Sequence, residues 1–109
     1  VESLIEARRQ GILLICEVVC AEVATRFPDQ AALQVALDRL GVAYESISRE
    51  AAWKAGELFS TYRLAGGPRE HMIPDFLIGA HAEVHADRLA ATDRGYLRTY
   101  FNKLPILHI

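Results

Sequence analysis

Residues 12–16 read ILLIC, five apolar residues with no polar alternation. A continuous run of this length predicts a strand buried on both faces of a parallel sheet, since an antiparallel strand with one wet face would alternate. A parallel neighbour is reached only through a crossover, usually a helix. The rest of the chain is patterned to supply such crossovers. EVVCAEVATRF reads as a helix ending before Pro28, and DQAALQVALDRL as a second, with Leu33, Ala36, Leu37 and Leu40 on one stripe and Gly41 as its stop.

The same alternation continues to the carboxyl end. VAYESI reads as a strand, and Ser48 as the cap of a helix with Glu50 near its positive end. Ala52, Ala55, Phe59 and Tyr62 are predicted to form that helix's core stripe, with AGG ending it. Trp53 falls off the stripe, as cover for the helix flank or as a dimer contact. After the polar loop GGPREH, Pro74 and Asp75 precede the helix FLIGAHAEVHA. RLAAT is a strand, DRGYLRTYF a short helix and LPILHI a last strand, while VESLIEARRQ at the start is helical and stopped by Gly11. Strands alternating with helices predict an α/β sandwich with a mostly parallel sheet.

Composition narrows the function classes. The 109 residues fit one domain, and a hydrophobic fraction of 51% is ample for a core. A formal net charge of −2 excludes a strongly basic nucleic-acid binder, so any contact with RNA or DNA must use a local patch or a bound metal. Cys16 and Cys20 are too few for a disulfide framework and read as core thiols of a reducing, cytoplasmic compartment. No apolar run reaches the roughly 18 residues of a membrane span. Without a Gly-rich phosphate loop after any strand, a nucleotide-binding or receiver-like domain is disfavoured.

Three acids stand out by position. Glu22 follows the ILLIC strand, four residues after Val18 and three after Val19, and so is predicted to lie within an apolar stripe. Asp75 opens an apolar helix, and Asp93 directly follows an apolar strand. Taken singly, Asp75 and Asp93 read as helix caps and Glu22 as a partner of Arg26. Taken together, on a fold that gathers the carboxyl ends of strands, they point to a shared metal site. Burying an unpaired carboxylate costs several kcal/mol, roughly, and a bound cation relieves that cost. Oxygen ligands alone suit Mg²⁺ or Mn²⁺. Zinc is permitted at His81 and His85, four apart on one helix, but no third ligand stands near them, and both read as structural.

The segments GGPREHMIPDFLIGAHA and ATDRGY, with ICEVVCAEVA before them, resemble PIN-domain ribonucleases, specifically the VapC-type toxins of bacterial toxin–antitoxin pairs. The resemblance covers nearly the whole chain. It implies a PIN-like three-layer α/β/α sandwich with a mostly parallel central sheet, formed by residues 1–109 as one domain. It implies a Mg²⁺-dependent (or Mn²⁺-dependent) endoribonuclease in which Glu22, Asp75 and Asp93 hold the metal, and metal-activated water cleaves RNA to leave a 5′-phosphate and a 3′-hydroxyl. It also implies a cognate antitoxin that blocks the acidic groove and a toxin homodimer.

Departures from the family pattern shape the expectation. Where the family carries Thr or Ser two residues before the last acid, this chain has Ala91, with Thr92 beside it as a substitute. The family's opening strand with its own aspartate has no counterpart, so the chain is expected to lack that strand and acid. For RNA contact, Arg63, Arg69, Arg94, Arg98 and Lys103 flank the acidic segments, and Arg69 and Arg94 are nearest the acids. A non-catalytic PIN-like binding or scaffold domain is the alternative, separated from the enzyme by whether the acids share a cation.

Overall fold

The computed structural model describes residues 2–67, 72–91 and 95–108, with positions 95, 96, 98 and 108 described by their backbone. The elements follow the expected alternation: α1 (Glu2–Gln10), β1 (Leu13–Ile15), α2 (Glu17–Ala24), α3 (Gln30–Leu40), β2 (Val42–Tyr44), α4 (Arg49–Leu64), α5 (Ile73–His85), β3 (Leu89–Ala91), α6 (Gly95–Tyr100) and β4 (Ile106–His108). Every described strand pairing is parallel. β1 pairs with β2 and β3 with β4, each within its own two-stranded sheet. The chain divides into two compact units, one of residues up to Ser46 and the other Ile47–His108.

In the first unit, α3 is punctuated as its sequence requires. Asp29 accepts the Ala32 N–H at 2.8 Å, satisfying one of the orphan donors of the first turn. Gly41 ends the helix at φ 67°, a left-handed conformation that only a residue without Cβ adopts cheaply. Leu33 is buried and Ala36, Leu37 and Leu40 are half-buried, as the stripe predicted. The ILLIC run departs from expectation. Ile15 and Cys16 are buried, but Ile12 is 73% and Leu14 38% exposed. Side chains alternate across a strand, and among the described residues β1 has β2 alone as a neighbour.

The second unit carries an aromatic core, and its main packing is α4 on α5. Ser48 caps α4 by accepting the Ala51 N–H at 3.1 Å. The buried stripe runs through Ala51, Ala55 and Tyr62, with Phe59 half-buried, so Ala52 is corrected to Ala51. Steps of four, four and three from residue 51 keep one face inward, and Ala52 is turned about 100° away into solvent. Trp53 lies off the stripe and is 75% exposed. Lys54 and Glu83 form a half-buried ion pair between α4 and α5. His81 is buried with its ring centroid 5.2 Å from that of His85, and His85 Nε2 lies 2.8 Å from Ser48 Oγ at the start of α4. This Ser48–His85 contact ties the carboxyl end of α5 to the amino end of α4. No helix among the described residues is long and apolar enough to cross a membrane.

Candidate active site

Asp75 stands in the first turn of α5, three residues past Met72, which caps the helix. It is therefore not the cap itself. Its carboxylate reaches back so that Oδ2 accepts the Met72 N–H at 2.7 Å, while its own N–H donates to the Met72 carbonyl at 3.0 Å. This is the acidic half of a capping box, which holds the carboxylate in one orientation. Pro74, whose fixed φ suits a helix's first turn, reinforces the start. The positive end of the helix also favours a negative charge there.

The next residue anchors that turn. Phe76 is fully buried, its ring edge-on to Phe59 at 5.5 Å and to Tyr100 at 5.7 Å, and tilted against Tyr62 at 5.3 Å and Phe101 at 6.2 Å. Aromatic pairs prefer these offset and edge-on arrangements, so the cluster fixes the axial position of α5. Asp75 is consequently half-buried on a rigid support, with a hydrogen bond setting its orientation.

Glu22 differs. It is exposed, which corrects its expected burial. The inward stripe of α2 runs through Cys16, Val19, Cys20 and Val23, spaced three, one and three apart, and this turns Glu22 about 100° away from it. The cost of a buried carboxylate therefore cannot be the reason for a cation there. No ion pair joins Glu22 to Arg26 among the described residues. The Glu22 carbonyl accepts the Thr25 hydroxyl at 2.7 Å, a contact that leaves the side chain uninvolved.

Asp93, Thr92, Arg94 and Arg69 lie outside the described residues. Arg63 and Lys103 are exposed. Among the described residues no three His, Cys, Asp or Glu side chains come together in a metal-holding group, His81 and His85 included. The fit to a metal thus rests on donor chemistry: Asp75 and Glu22 offer only carboxylate oxygens, which suit a hard divalent cation. Gly79, one turn along α5 from Asp75, was not singled out from the sequence. A glycine inside an apolar helical pattern was the available signal, because it weakens a helix and so asks for a packing reason.

The PIN domain family matches residues 1–102. Among curated proteins no sequence matches. A chain in the crystal structure of VapBC2 from Rickettsia felis bound to a DNA fragment from their promoter is similar in fold, with a TM-score of 0.66 at 19% identity, covering 92% of this chain and 76% of that one. That likeness, at such identity, concerns the fold. The family match spans both compact units and all but the last seven residues, and by it this chain belongs to the PIN domain family.

Proposed function

We propose that this chain is a metal-dependent endoribonuclease of the VapC toxin type, acting in the cytoplasm and held in check by a cognate antitoxin. The observation that carries the reading is a PIN family match over residues 1–102 with Asp75 oriented by the Met72 N–H in the first turn of a buried helix. The resemblance in fold to a VapBC2 chain supports an antitoxin partner. On this reading residues 1–109 act as one PIN-like domain, and a homodimer is the assembly.

Glu22, Asp75 and Asp93 would hold Mg²⁺ or Mn²⁺. When bound, such an ion lowers the pKa of water and offsets negative charge on a phosphodiester. Asp75 contributes a carboxylate whose orientation is set before any ligand arrives, which limits the reorganisation needed on binding. Glu22, exposed on α2, contributes a longer and more mobile arm. Arg69 and Arg94 would meet RNA phosphates, and Thr92 would stand in for the hydroxyl that Ala91 lacks.

The deciding experiment is RNA cleavage by the purified protein in Mg²⁺ or Mn²⁺ against EDTA, with Asp75→Asn alongside. Cleavage should require the metal and fall by ~100-fold or more in the variant, above the range typical of outer-shell partners. Full activity in Asp75→Asn would sink the assignment. The exposure of Glu22 favours a second reading, a non-catalytic PIN-like binding or scaffold domain. It predicts no metal-dependent cleavage in any arm and no cation shared by the three acids.

A further inference from the structure

We infer that Gly79 is a positioning residue for the Asp75 carboxylate, acting through the ring of Phe101; the inference rests on the proposed metal-binding role of Asp75. Gly79 is buried in the interior of α5, where glycine is among the least favourable residues. Its backbone does not explain it, because the positive-φ glycines are Gly41 and Gly66 among the described residues. Space does. A Cβ built on Gly79 would stand 2.5 Å from Phe101 Cε2, 2.7 Å from Cζ and 2.9 Å from Cδ2. Carbon atoms in contact sit at about 3.5–4.0 Å, so no side chain fits without moving the ring.

Residues 75 and 79 are four apart and share one face of α5. Side chains on a helix lean toward its amino end, so a side chain at 79 would cover the turn that carries Asp75 and Phe76. Phe101 fills that space instead. The ring is 1% exposed, and the Phe101 N–H donates to the Leu97 carbonyl at 2.8 Å, which ties it to the last turn of α6. Leu97, equally buried, anchors the same helix. The floor beneath the Asp75 turn is thus supplied by a residue 26 positions later, and Gly79 is the vacancy that admits it.

The test is a calorimetric Mn²⁺ titration of the full chain, with melting temperatures recorded in parallel. The proteins are the wild type, Asp75→Asn, Gly79→Ala, Gly79→Ala combined with Phe101→Leu, and Val84→Ala as a core control at the far end of α5. Gly79→Ala should weaken Mn²⁺ binding about tenfold, the scale of lost support behind a ligand. The double variant, whose shorter side chain makes room, should recover it, and Val84→Ala should lower the melting temperature without changing affinity.

Wild-type affinity in Gly79→Ala overturns the inference. So does a folded double variant that stays weak, or an equal loss in Val84→Ala. If Gly79→Ala does not fold, the double variant decides by the same criterion. Loss in Asp75→Asn with none in Gly79→Ala overturns this inference alone. Mn²⁺ binding that is absent from the wild type, or unchanged in Asp75→Asn, overturns the metal reading and this inference with it.

Discussion

The two compact units are built from the same kit and differ in what covers it. Each holds a parallel pair of three-residue strands with helices alongside. In the first, burial among the described residues is confined to Ile15, Cys16 and Leu33, while Ile12, Leu14, Val35 and Tyr44 are exposed. In the second, α4, α5 and α6 converge on Phe76, Phe101 and Leu97, all but inaccessible to water. Apolar residues are no scarcer in the first unit than in the second. What the second unit adds is a pair of long helices that bury small residues, Ala51, Ala55 and Ala80, and at Gly79 admit the Phe101 ring. The acids follow the same division. Asp75 inherits a rigid support, whereas Glu22 sits on a helix with no fully buried residue.

The largest difference between the units is expected in their cores. Phe76→Ala should cost about 3–5 kcal/mol, because it removes the ring on which Phe59, Tyr62, Tyr100 and Phe101 converge. Leu33→Ala in the first unit should cost about 2 kcal/mol, the low end for a buried leucine, since its neighbours are half-exposed and can close around it. Denaturant unfolding of both variants checks the order, and equal losses would erase the contrast between units.

The acids should separate by a smaller margin. Asp75→Ala removes the acceptor for the Met72 N–H and should cost about 1 kcal/mol. Glu22→Ala, on an exposed position, should stay within about 0.5 kcal/mol. Thermal melts without added metal read this difference apart from any effect on cleavage.

The smallest effect concerns alkaline pH. Partial loss of water contact, then the charges of Glu17, Cys20 and Cys16, raises the Tyr44 phenol above its ordinary value, with a Ser46 hydrogen bond opposing. The fold therefore favours the neutral phenol. That contribution is full below the ordinary phenol pKa and is lost as pH rises through the raised folded one. Tyr44→Phe should flatten the fall of melting temperature in that range, a shift readable by scanning melts across alkaline pH.

Much of the architecture was legible because local chemistry dictates it. Asp29, Gly41 and Ser48 mark helix ends, and each does so through its own backbone or an oxygen within three residues. Burial was less legible. Periodicity alone puts Ala52 on the α4 stripe and Glu22 among buried residues, because a few apolar residues on a short helix define a face only to within about 100°. Asp75 was identified as an acid at a helix start, yet whether it capped the helix or stood inside its first turn depended on where Met72 turned the chain.

Local chemistry along the chain set the alternation of strands and helices and the residue types from which a hard-cation site could be made. These follow from periodicity, capping and turn chemistry, all of short range. Tertiary structure alone decided which apolar residues reach a core, that Glu22 faces solvent, and that a glycine on α5 is matched to a phenylalanine past the end of α6. Those outcomes depend on close packing between segments distant in sequence, where displacements of an ångström decide contact or collision, and no local pattern encodes such distances.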